Sequence, residues 1–101
     1  MDKDKIIKEL KKFKKKNKID KMIFFGSRAN SKYTKYSDID LIVISPKFKK
    51  IKSFKRAPVL RLKWKLDYPV DLLCYTPEEF EKKKKEPTIV KEAVENGIEI
   101  Q

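Results

Sequence analysis

Two aspartates, Asp38 and Asp40, flank a single isoleucine at the head of the run DIDLIVIS, residues 38–45. Side chains two apart on a strand share a face, so both carboxylates project together while Ile39 and Leu41 point to the other side. Two like charges about 4 Å apart repel by about 4 kcal/mol at an effective dielectric near 20. A folded chain accommodates such a pair when it stays solvated, shares a proton or binds a cation. A hard divalent cation suits the last case, because it takes oxygen ligands and is often held by one or two carboxylates plus substrate phosphates. The competing arrangement is structural: Asp38 caps the turn into the strand and Asp40 faces water.

Twelve residues upstream of Asp38 stands Gly26, followed by Ser27. Glycine lets backbone approach a ligand closely, and N–H groups at the start of a helical turn bind phosphate oxygens. A third carboxylate, Asp71, is the one charge in the apolar run VDLLCY. It is either an edge-strand residue facing water or a further cation ligand, since a lone carboxylate in a buried strand is costly without a counter-charge. The chain has no histidine. That removes His-based triads, His–zinc sites and imidazole acid–base catalysis, and leaves carboxylates, lysines, hydroxyls or a hard metal ion for any chemistry.

The elements that must carry these residues read as follows. Residues 2–17 form an amphipathic helix, with Ile6, Ile7, Leu10 and Phe13 on one stripe and Asn17 as its stop. KMIFF, 21–25, is a buried strand bounded by Gly26. A short helix over 29–33 and a polar loop, YTKYS, lead to the strand at 38–45, which Pro46 ends. The basic stretch 46–56 reads as a loop with a helical turn. Pro58 at a first helical position allows a helix over 58–66, whose Trp64 suits a core, dimer or partner surface. Residues 68–76 form a third strand. Thr76-Pro77-Glu78-Glu79 then starts a helix running to about Lys85. Pro87 breaks it, and a last helix over 88–96 ends at Gly97. The order predicts an α/β fold, a small sheet flanked by helices, as one domain over 1–101.

Lys and Arg total 27 against 15 Asp and Glu, a net charge of +12 in 101 residues. Such a balance suits an anionic partner, and a Lys- and Glu-rich surface also marks proteins adapted to heat. The lysines at 47, 49, 50, 52 and 55 guide an RNA or acidic acceptor, or form a solvated loop. Cys74, the one cysteine, reads as a small core residue in a reducing, cytoplasmic setting. The lysine-studded N-terminus has no uninterrupted apolar stretch, so neither a signal peptide nor a membrane span is expected.

The segment GSRANSKYTKYSDIDLIV resembles the G-S-x-A…S-D-x-D-L signature of minimal nucleotidyltransferases of the DNA polymerase beta-like superfamily. The likeness continues through PVDLLCYTPEEFEKKKKEPTIVKEAVENGIEI, which is similar to the C-terminal half of stand-alone prokaryotic nucleotidyltransferase-domain proteins. It spans roughly 20–100. The resemblance implies two Mg²⁺ ions and a nucleoside triphosphate, ATP or another. It implies that Gly26 and Ser27 hold the triphosphate, that Asp38 and Asp40 bind the ions, and that Asp71 helps hold the catalytic metal and activates the attacking hydroxyl. Arg28 matches a common family arginine, which would contact phosphate or a partner, or is a plain surface arginine. The chain departs from many relatives at Asn30-Ser31, where an Arg-Gly pair is common. Relatives of this size pair with a helical HEPN-type protein, often a ribonuclease toxin, and act as antitoxin, in some cases by adding AMP to a tyrosine. The expected function is therefore nucleotidyl transfer onto a protein hydroxyl. The alternatives are a non-catalytic binding module, with or without homodimerisation, and an RNA-directed nucleotidyltransferase.

Overall fold

The computed structural model describes residues 2–30 and 37–101. In chain order it contains α1 (Asp2–Lys16), β1 (Lys21–Phe25), β2 (Ile39–Ile44), a 3₁₀ helix (Pro46–Lys50), α2 (Ser53–Arg61), β3 (Val70–Tyr75), α3 (Pro77–Lys83), α4 (Ile89–Asn96) and β4 (Ile98–Ile100). The strands form one mixed sheet in the order β3-β2-β1-β4. β1 runs antiparallel to β2 and to β4, and β2 runs parallel to β3.

Strict alternation along the strands divides the core in two. Met22, Phe24, Ile39, Leu41, Val43 and Leu72 face α1, the 3₁₀ helix and α2, where Ile6, Leu10, Phe13, Phe48 and Leu60 are buried. Ile23, Phe25, Ile42 and Ile44 face the other way and pack with Phe80 of α3 and with Val90 and Ala93 of α4. α1 buries the expected stripe and stops at Asn17, whose side chain donates to Phe13 O at 2.9 Å. Lys18 then adopts φ 53°, with Ile19 N bonding to Lys14 O and Lys18 N to Lys15 O. This is a Schellman ending built on a lysine instead of a glycine.

The structure corrects the reading at the second helix and at the C-terminus. The second helix lies at Ser53–Arg61, with Pro58 inside it instead of at its start. What fixes its position is Arg56, 5% exposed, which donates to Ile51 O, to Cys74 O and to both carboxylate oxygens of Glu79. Trp64 follows this helix and joins the core, edge-on to Phe13 at 5.1 Å, with its indole N–H on Tyr68 O at 2.8 Å. The outward apolar residues here are Phe54, Val59 and Leu62, 71%, 43% and 80% exposed. β4 was absent from the expected order. It has three residues, and its outer Ile98 and Ile100 pair with Phe24 and Met22.

The Thr76–Glu79 capping box forms as expected, and α3 ends at Lys83. Gly97 ends α4 in an extended conformation, φ −83°, ψ 178°. The glycine serves close approach: an added Cβ would lie 2.4 Å from Ala93 O and 2.8 Å from Ile23 Cγ2. The expected helix over 29–33 and the loop after it fall largely outside the described residues. Among the described residues no helix is long and apolar enough to cross a membrane.

Candidate active site

Parallel pairing sets the site. In the register of β2 and β3, Asp40 lies directly beside Asp71, and in that of β1 and β2 it lies opposite Phe25. By alternation all three belong to the face carrying Ile42, Ile44 and Leu73, the one that α3 and α4 cover. At the end of the sheet near Asp40 and Asp71 that cover stops, leaving a cleft of about 280 Å³. Phe25, Leu73, Asp40 and Asp71 line it from the sheet, and α4 supplies the facing wall.

Gly26 closes the end of β1 with φ +83°, a conformation that side-chain-bearing residues rarely adopt. An ideal Cβ at this position would lie 2.1 Å from Asp40 Oδ2, so the absence of a side chain is what lets the carboxylate sit over the turn. Beyond it the chain makes one helical turn, Ala29 N and Asn30 N both bonding to Gly26 O, at 3.1 and 3.2 Å. Gly26, Ala29 and Asn30 line the cleft.

The carboxyl of Asp40 is held above its ordinary value, first by burial and then by the charges of Asp71 and Asp38. Two further carboxylates therefore lie within electrostatic reach of Asp40: Asp71, and Asp38, which stands exposed just before β2 and does not line the cleft. Among the described residues no three metal-binding side chains are gathered into a ready-made cage. Two adjoining carboxylates with open space beside them nonetheless match what Mg²⁺ takes from protein, with phosphates and waters completing its shell. The donor set fits the ion.

Arg28 sits elsewhere. It is 3% exposed, its Nε donates to Ser37 O at 2.9 Å, and its guanidinium lies 4.9 Å from the Tyr68 ring centre. It thus braces the residue before Asp38 against the segment leading to Asp71, and it does not line the cleft. Ser27, half-buried, does not line it either. Cys74 packs against the α1–α2 core, and burial pushes its thiol to about 11, consistent with a structural residue.

The polar cleft residues missed by the sequence reading include Asn30 and, on α4, Glu92 and Asn96. The signal for the α4 pair was available: Ile89, Glu92, Ala93 and Asn96 are spaced i, i+3, i+4, i+7, one helix face ahead of a glycine.

A family model described as nucleotidyltransferase domain matches residues 3–100. No curated protein matches the chain significantly. Among solved structures, a protein of Sulfolobus solfataricus described as a candidate nucleotidyltransferase superposes with a TM-score of 0.61 at 21% identity, covering 79% of this chain and 75% of that one. That likeness supports the fold, a mixed four-stranded sheet with four α-helices. A match over nearly the whole sequence, on a fold that gathers Gly26, Asp40 and Asp71 at one cleft, places this chain in the nucleotidyltransferase domain family.

Proposed function

We propose that the chain is a Mg²⁺-dependent nucleotidyltransferase that moves AMP from ATP onto a hydroxyl, a tyrosine of a HEPN-type toxin, and so acts as its antitoxin. The observation that carries the transferase reading is the pairing of Asp40 with Asp71 across two parallel strands, beside a glycine turn that leaves Asp40 room. The protein acceptor and the antitoxin role rest on the resemblance of the two quoted segments.

In the reaction the acceptor oxygen attacks the α-phosphorus. A new P–O bond forms, the bond to the β-phosphate's bridging oxygen breaks, and pyrophosphate leaves with the electron pair. Bound Mg²⁺ would neutralise the phosphate charge and stabilise the attacking and leaving oxygens. Asp38 and Asp40 would hold the ions. Asp71 would help hold the catalytic one and take the proton of the attacking hydroxyl, which requires a group near the acceptor. The backbone of Gly26 and of the helical turn after it would cradle the triphosphate, and Arg28 would keep Ser37 and the aspartates after it in place. Positioning and charge neutralisation supply most of the barrier reduction in such displacements, so the lack of histidine is no handicap.

The test mixes the purified protein with Mg²⁺, α-labelled ATP and extract from its source, beside Asp40→Asn. Label on a discrete protein band, with the wild type only, is the expected result. Label on RNA alone would replace the acceptor. No label anywhere, with Mg-ATP also failing to raise the melting temperature, would overturn the transferase reading in favour of a binding module.

A further inference from the structure

The wall that α4 presents to the cleft has no part in the transfer chemistry above. Ile89, Glu92, Ala93 and Asn96 form it. The helix is a firm support. Val90 and Ala93 are buried with Ile23, Phe25 and Ile42, and Gly97 lets its last turn close onto β1. Glu92 and Asn96 are both exposed, one helical turn apart, and Ile89 is 56% exposed although apolar.

The chemistry of this wall restricts what can lie against it. A carboxylate only accepts hydrogen bonds, while a primary amide both donates and accepts. Glu92 repels a triphosphate, whereas a divalent cation held by Asp40 and Asp71 would draw the phosphate end to their side, so the other end of a nucleotide faces α4. Phe25, Leu73 and Ile89 offer apolar surface to a flat ring. Resting on the nucleotide reading above, we infer that Glu92 and Asn96 determine base specificity: they read a nucleobase with an exocyclic amino group. Glu92 accepts from the amino N–H, and Asn96 donates to the neighbouring ring acceptor. Adenine, guanine and cytosine all carry such a group. Hypoxanthine carries none, and uracil sets a carbonyl where the amine would be, against the Glu92 carboxylate. A site built to pair a substrate N–H discriminates strongly against an analogue lacking it, because its own polar groups are left unpaired.

The experiment is calorimetric titration, with Mg²⁺ present, of ATP, GTP, CTP, ITP, UTP and inorganic tripolyphosphate into wild type, Glu92→Ala and Asn96→Ala. At least one of ATP, GTP and CTP should bind at least about tenfold more tightly than ITP and UTP. Comparing the three identifies the base. Each substitution should shrink that preference to about threefold or less while tripolyphosphate still binds, and both variants, altered at exposed positions, should melt near the wild type. ATP, GTP, CTP and ITP binding equally well to the wild type would overturn the inference, as would a preference that survives both substitutions. Loss of tripolyphosphate binding in Glu92→Ala would also overturn it, by making Glu92 a cation ligand. If neither ATP nor tripolyphosphate binds the wild type, the nucleotide reading fails and the base inference falls with it.

Discussion

Replacing Asp40 by Asn should make the metal-free protein more stable while removing its response to Mg²⁺. Asp40 and Asp71 are direct neighbours on adjoining strands, and strands lie about 4.8 Å apart. At that distance two full charges repel by about 3.5 kcal/mol at an effective dielectric of 20, and by about 0.9 kcal/mol at that of water. Asp71 is exposed and Asp40 half-buried, so screening brings the expected gain near the lower figure, about 1 kcal/mol. For a chain of this size that is about 4–8 °C in melting temperature. The pH dependence follows from the direction of the shift. The Asp40 carboxyl is raised above 3.8 by burial and by Asp71 and Asp38. A raised carboxyl stabilises the fold fully below its unfolded value, and that stability is lost as pH rises through the folded value. The variant should therefore match the wild type near pH 3 and exceed it at neutral pH. Thermal melts followed by circular dichroism, in EDTA and in millimolar Mg²⁺ across this range, give the comparison. Mg²⁺ should raise the wild-type midpoint and leave the variant unmoved. A variant less stable than the wild type in EDTA at neutral pH would show that the carboxylate is a stabilising partner, and the argument for a strained cation site would fail.

Two other substitutions probe the supports of the site. Gly26→Ala forces a side chain into φ +83° and brings its Cβ to 2.1 Å from Asp40 Oδ2. It should cost about 1–3 kcal/mol in urea unfolding, and combining it with Asp40→Gly should recover the steric share, leaving the backbone cost. Full additivity in that cycle would refute the contact. Glu79→Gln removes the counter-charge of Arg56, which is 6% exposed in its side chain against 43% for Glu79. A fully buried pair broken this way loses about 3–5 kcal/mol, so a half-exposed partner should lose about 2 kcal/mol. The Arg56 hydrogen bond holds the Glu79 carboxyl below 4.5. Its stabilisation is present above 4.5 and is lost as pH falls through the folded value, so Glu79→Gln should flatten that acid limb. An unchanged acid limb would refute the assignment.

The parts of this molecule that were legible are those where local pattern and tertiary fold agree. The alternation in DIDLIVI put Asp40 on one face and Ile39 and Leu41 on the other, and the core division follows that alternation. Thr76-Pro77-Glu78-Glu79 is a local device, and it forms where it is written. The second helix was misplaced because proline usually opens helices. Here a buried arginine, bonded to β3 and α3, sets the helix position and Pro58 is carried inside. Nothing in the lysine-rich stretch 47–56 distinguishes Arg56 from its solvated neighbours. Arg28 was illegible for a similar reason: its partners, Ser37 O and the Tyr68 ring, are set by the fold. β4, with three residues, is too short to announce a strand without β1 beside it.

The charge distribution ties the site to the rest of the chain. The protein carries +12, and between Asp40 and Asp67 the sequence holds no acidic residue and nine Lys or Arg. The described lining of the cleft is opposite in character, with Asp40, Asp71 and Glu92 and no lysine or arginine. Attraction from the whole molecule favours the approach of a polyanion. Fields from exposed charges fade over about 8 Å at physiological ionic strength, so within the cleft the nearby carboxylates dominate. A bare triphosphate drawn to this surface thus meets repulsion where it must dock. A divalent cation removes the conflict, because the same carboxylates that repel the phosphate attract the ion. The strain at Asp40 and the left-handed glycine beneath it then have one explanation. On the proposed function, the fold gives up stability in the metal-free state at the point where a bound cation would return it.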